Sequence, residues 1–167
     1  MPALVFLIFF AEKVLIDRLI LTVEGKAYTL FDLKKDCIFS SLLNDKFSWK
    51  LCSSDESLKE HFEGFLNKAL LLASMGDEAK LMLSNGELEA AENDIIMRCG
   101  GEEHVKKVLE ESGLRMEDLL RWIKENLMIK SYTERRFKGR GDALRDYLET
   151  LKRTMKIRVY FDGKQLH

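Results

Sequence analysis

Proline, the residue that most often interrupts regular structure, occurs once in this 167-residue chain, at position 2. Proline fixes φ and removes a backbone donor, so everything after Pro2 is free to form long, unbroken helices. The length corresponds to one domain, able to bury roughly two-thirds of the surface exposed by its unfolded form. Hydrophobic residues make up 46% and charged residues 33%, which excludes a disordered tail or a collagen-like fibre. Lys plus Arg number 27 against 28 Asp plus Glu, a net charge of −1. No bulk field therefore draws the chain to nucleic acid or to an anionic membrane.

Periodicity divides the chain into strands at its ends and helices between them. Val14 to Thr29 reads as a β-hairpin turning at Glu24-Gly25, with apolar residues on both faces of its first strand. Thr29 and Asp32 resemble a capping box for a helix running to about Leu43. Asn44 to Ser54 is polar and irregular. A second box, Ser53 to Glu56, opens a helix whose apolar stripe is Leu58, Phe62, Phe65, Leu66, Ala69, Leu70 and Ala73, ended by Gly76. Ala79 to Leu83 reads as a short extended segment. A third box, Ser84 to Glu87, opens a helix to Cys99, closed by Gly100-Gly101. Glu102 to Ser112 forms a short helix with Val105, Val108 and Leu109 on one side and Gly113 as its cap. Met116 to Phe137 is the longest helix, apolar over more than one stripe, so it packs on several neighbours or offers surface to a partner. After the break at Lys138 to Gly141, Asp142 to Met155 is a last helix, with Leu144, Tyr147, Leu148 and Leu151 inward. Lys156 to Phe161 is a closing strand. A lone hairpin is marginal in water, so this strand is expected to join it in one small antiparallel sheet. The expected class is α+β, mostly α.

Catalytic and metal-binding patterns are sparse. His61, His104 and His167 lack the spacing of a metal site, and the three cysteines lack a CxxC. Cys37 and Cys99 read most simply as small core residues, although in an oxidising compartment one pair can bond, with connectivity that spacing does not fix. The glycine pairs lack the surroundings of a phosphate loop. Glu102/Glu103 and Glu110/Glu111 read as solvated faces. Arg135, Arg136, Lys138 and Arg140 read as a solvated helix end favoured by the helix dipole. No cofactor or metal is expected. The methionines fill a core or supply an adaptable apolar surface.

The apolar run Ala3 to Ala11 spans nine residues, too few to cross a bilayer but the length of a signal-peptide core. No Lys or Arg precedes it. The alternative is a buried first element of a cytoplasmic protein. The expectation adopted is a signal peptide over residues 1–11 and one domain over 12–167.

The stretch from Glu12 to Leu33 resembles the opening of SurA-type periplasmic chaperones, with Val23, Gly25, Thr29, Asp32 and Leu33 falling on that family's hairpin and capped helix. Leu66, Leu70, Leu71 and Ala73 are similar to its second helix. Glu102 to Phe137, with Gly113-Leu114 and the Glu134-Arg-Arg-Phe137 ending, resembles its long helices, although Arg115 stands where a capping Ser or Thr is common. Tyr147 to Val159 resembles the returning helix and strand. The family often inserts parvulin-type isomerase domains before that helix, and only Lys138 to Gly141 lies there in this chain. The resemblance implies a periplasmic, non-enzymatic chaperone module that binds unfolded or extended polypeptides. Its expected cradle would be lined by Met97, Trp122, Leu127, Met128, Tyr132 and Phe137, each of which also reads as core. The alternative is an adaptor that binds one folded partner or forms a homodimer by exchange of its ends.

Overall fold

The computed structural model describes residues 17–43, 48–76 and 84–162. Strand β1 (Leu19–Val23) and strand β2 (Lys26–Thr29) form the hairpin. Glu24 and Gly25 both adopt positive φ, 48° and 82°, the backbone of a two-residue turn whose twist matches that of the strands. Ile20 and Leu21 point to opposite faces of β1 and both are fully buried, so the strand is covered on both sides as its composition requires. Its expected start, Val14 to Ile16, lies outside the described residues.

Helix α1 (Leu30–Leu42) follows β2 without a linker, and Thr29 caps it. The Thr29 hydroxyl accepts the Asp32 N–H, and the Asp32 carboxylate accepts the Thr29 N–H at 3.0 Å, satisfying two orphan donors of the first turn. Asp17 accepts the N–H of Phe31 at 3.1 Å. Trp49–Ser53 forms a 3-10 turn within the stretch read as irregular. A disulfide between Cys37 and Cys52 fastens that turn to α1. Cys37 is therefore a bridging residue as well as a core residue.

Helix α2 (Asp55–Ser74) starts one residue later than its box suggested: Ser54, not Ser53, is the cap and accepts the Ser57 N–H. The first Ser hydroxyl instead donates to the Lys50 carbonyl inside the 3-10 turn. The stripe also differs at its end, where Leu71 is buried and Ala73 exposed. The larger side chain takes the inward place beside Leu70. The segment expected to be extended, Ala79 to Leu83, lies outside the described residues.

Helix α3 (Asn85–Arg98) carries the Ser84–Glu87 box. Helix α4 (Glu102–Ser112) ends at Gly113, which adopts the left-handed conformation. Helix α5 (Met116–Phe137) opens with half a box, in which the Arg115 N–H donates to the Asp118 carboxylate at 3.2 Å. A turn with Lys138 and Gly139 at positive φ leads directly into helix α6 (Gly141–Thr154). Strand β3 (Ile157–Val159) then pairs antiparallel with β1, giving the sheet order β2-β1-β3. The fold is mostly helical with a small three-stranded antiparallel sheet.

Among the described residues two large apolar cores and a small Met75–Met128 cluster lie in this frame. The first joins the hairpin, α1, α2 and α6 through Ile20, Leu21, Leu33, Leu58, Leu70 and Leu151. The second joins α1 to α4 and α5 through Phe39, Val105, Val108, Leu119, Trp122 and Ile123. Helix α1 serves both, and the wide apolar coverage of α5 is used against several neighbours.

Candidate functional site

Where the two cores meet, β2, α1, α2 and α5 surround a cleft of about 200 Å³. Its base is Asp36, on the inward face of α1 and only 7% exposed. A carboxylate so placed must be paired and hydrogen-bonded. Asp36 has three donors: the Trp122 indole N–H at 2.7 Å, the Lys68 ammonium at 2.8 Å and the His61 ring at 2.7 Å. Burial opposes its ionisation, but the His61 hydrogen bond and the Lys68 charge outweigh burial and hold the carboxyl below its usual range. The Lys68 ammonium also lies 5.3 Å from the Trp122 ring centre and 3.3 Å from Glu125. α1, α2 and α5 are thus tied by one polar knot.

Lys35 lies 3.2 Å from Asp32 and 3.9 Å from Asp118, so it joins α1 to the first turn of α5. Lys26 and Arg121 also line the cleft and are exposed. On the β2 wall stands Tyr28, buried and packed edge-on against Phe65 with 5.7 Å between ring centres. Its hydroxyl is buried and has no hydrogen-bond partner. Desolvation, then the negative charges of Glu125 and Asp32, push this phenol up to about 12.

The six residues expected to line a cradle fall in several places. Met97 on α3 is 74% exposed. Trp122 is buried in the second core and Leu127 packs partly buried against it. Met128 is buried against Met75, with Tyr132 at its side. Phe137 is buried and packs on Tyr147 at 5.3 Å between ring centres, while the Tyr132 and Tyr147 hydroxyls meet at 3.1 Å. Trp122, Met128 and Phe137 thus serve the interior. The structure groups Met128 with Tyr132, and Tyr132 with Phe137 through Tyr147, and does not gather all six. Arg136 lies over the Tyr147 ring at 4.6 Å, so part of the basic segment covers aromatic surface.

Sequence reasoning passed over Asp36, Lys68 and Tyr28. One signal was present: Asp36 follows Leu33 by three and adjoins Cys37, so helical spacing puts a charge on the apolar face. His61 lies outside the apolar stripe of α2, and its ring reaches Asp36 from there.

No protein-family model, curated protein or solved structure matches the chain. Among the described residues no helix is long and apolar enough to cross a membrane. No group of acidic, His or Cys side chains among them could hold a metal ion.

Proposed function

We propose that the chain is a non-enzymatic, ATP-independent extracytoplasmic chaperone similar to the SurA-type module, which shields unfolded outer-membrane or secreted polypeptides. The observation that carries this reading is topological. Both ends of the described chain enter one sheet, the helices lie between them, and α5 passes to α6 through a short turn in place of an inserted domain. The Cys37–Cys52 bridge supports a periplasmic setting, because structural disulfides persist in oxidising compartments. Helix α3 is the surface best suited to clients. None of its residues is fully buried, Leu88, Ala91 and Ile95 rest half-covered on the second core, and Met97 faces outward. Flexible methionine on a loosely covered helix can repack against varied apolar segments.

The test is light scattering of a chemically denatured client diluted into the purified protein. Suppression near equimolar ratio is expected, weakened by Met97→Glu with the thermal midpoint unchanged. No suppression together with no binding of unfolded peptide overturns the proposal. Nanomolar binding of one folded partner at fixed stoichiometry would instead select the adaptor reading.

A further inference from the structure

Strand β3 has β1 on one side, and among the described residues no strand lies on its other side. Its register with β1 runs without a bulge: Ile157 opposite Val23, Arg158 opposite Thr22 and Val159 opposite Leu21. The hydrogen bonds fix which backbone groups face outward. The Lys156 carbonyl accepts the Glu24 N–H, and the Tyr160 N–H donates to the Ile20 carbonyl. Lys156, Arg158 and Tyr160 therefore turn their backbone groups toward β1. Those groups alternate in direction along a strand, so the N–H and C=O of Ile157 and Val159 point away from the sheet. Val159 and Tyr160 are also 50% and 45% exposed, two large apolar side chains together at one edge. Proteins usually protect such an edge with proline, a bulge or charge. β3 has neither proline nor bulge, and its protection rests on two cations, Lys156 and Arg158.

We propose that this edge pairs with β3 of a second copy of the chain, antiparallel, about a two-fold axis through Val159. The sequence is complementary to itself in that register. Val159 stands opposite Val159 of the second copy, each N–H donating to the other's carbonyl, and Ile157 stands opposite Phe161. On the alternate positions Arg158 comes opposite Tyr160, a cation beside an exposed ring, and Lys156 comes opposite Asp162, a pair of opposite charges. Asp162 already holds Arg18 at 2.6 Å but is 58% exposed, so a second cation can reach it. Symmetry repeats each of these side-chain pairs. The two cations that would deter an arbitrary strand thus find partners in this one. Neighbouring registers match less well. An axis through Arg158 sets the two guanidiniums against each other, and an axis through Ile157 sets Arg158 against Lys156, in both cases like charges directly opposite. An axis through Tyr160 pairs Arg158 with Asp162 but carries Ile157 past Asp162 and loses its contact with Phe161. No end of the chain is exchanged in this pairing, and it does not depend on the chaperone reading.

Sedimentation equilibrium of the full chain, with its disulfide intact, tests it. One strand against one strand is a small interface, so a monomer–dimer equilibrium with a Kd of roughly 100 μM is expected. At about ten times that concentration the Ile157 and Val159 amides should exchange more slowly than in dilute solution. Arg158 and Tyr160, already bonded to β1, should change little. Val159→Lys sets like charges opposite each other on the axis, and Val159→Pro removes an outward donor while leaving the bonds to β1. Both variants should remain monomeric with the thermal midpoint little changed. Val159→Cys should cross-link to its own copy under mild oxidation faster than Tyr160→Cys, because only position 159 meets itself across the axis. Absence of dimer at about 1 mM, a dimer that persists in folded Val159→Lys, or faster cross-linking through Tyr160→Cys would overturn the proposal. A monomer whose Ile157 and Val159 amides slow on addition of an unrelated extended peptide would also overturn it, and would assign the edge to a peptide instead.

Discussion

A carboxylate in an apolar helix face is stable only if its partners arrive with it, and Asp36 takes its partners from two other helices. His61, Lys68 and Trp122 lie 25, 32 and 86 positions further along the chain. This separation explains why the knot was hard to read in the sequence: the exception at Asp36 was visible, but the residues that make it tolerable were not local. Removing the carboxylate by Asp36→Ala leaves the Lys68 charge and the Trp122 N–H without their main acceptor. The expected loss is about 3 kcal/mol, measured by urea unfolding. The pH dependence has a definite sign. Because the folded carboxyl is held below its ordinary value, its contribution is complete above the ordinary carboxylate range and declines as pH falls through that range toward the folded value. An acid titration of stability should therefore be shallower in Asp36→Asn than in the parent. Tyr28 gives the opposite limb. Its phenol is raised to about 12, so the stability it contributes is present below the ordinary tyrosine value and is lost as pH rises toward 12. Ultraviolet titration of tyrosine ionisation should lose its latest-titrating component in Tyr28→Phe.

At the scale of elements, legibility followed locality. The Thr29–Asp32 and Ser84–Glu87 boxes, the Gly113 cap and the bounds of the longest helix all depend on residues within one turn of each other, and each was read correctly. The start of α2 slipped by one because Ser53 and Ser54 are both competent caps, and only the 3-10 turn before them decides which hydroxyl is already engaged. The disulfide was legible only as one option among pairs, since spacing does not reveal that Trp49–Ser53 folds back against α1. The bridge closes a loop of sequence separation 15, for which the chain-entropy estimate is about 3 kcal/mol. Reduction with dithiothreitol, or Cys37→Ser with Cys52→Ser, should lower unfolding stability by that order. Peptide mapping of oxidised protein should recover the Cys37 and Cys52 peptides linked. Of the candidate cradle, Met97 is exposed, whereas Trp122, Met128 and Phe137 lie on buried parts of α5. Helical periodicity gives the width of an apolar surface but not which part a neighbour covers.

At the scale of the whole molecule, the sheet couples distant parts of the chain through a few polar contacts. The Arg18 guanidinium donates to Asp162 at 2.6 Å, and the Tyr160 N–H donates to the Ile20 carbonyl at 2.8 Å. Phe161 stacks on Phe62 of α2, and Lys152 of α6 pairs with Glu63 of α2. Glu24 has the most instructive place. A left-handed conformation is unfavourable for glutamate, and asparagine would suit that turn position better. Yet its N–H donates to the Lys156 carbonyl at 2.9 Å and its carboxylate accepts the Lys156 N–H at 2.7 Å, across 132 positions of sequence. The hairpin turn thus gives up local preference to hold the entrance of β3. Glu24→Ala should remove the carboxylate contact and retain the backbone one. Being exposed, this bond should be worth only about 1 kcal/mol, so the thermal midpoint falls little. Hydrogen exchange should respond more sharply, with faster exchange at Lys156, Arg158 and Tyr160 and no change in the α4 amides, because β3 lies against the first core and α4 within the second. Equal acceleration in α4 would mean that the two cores open as one cooperative unit and that the sheet closure secures both.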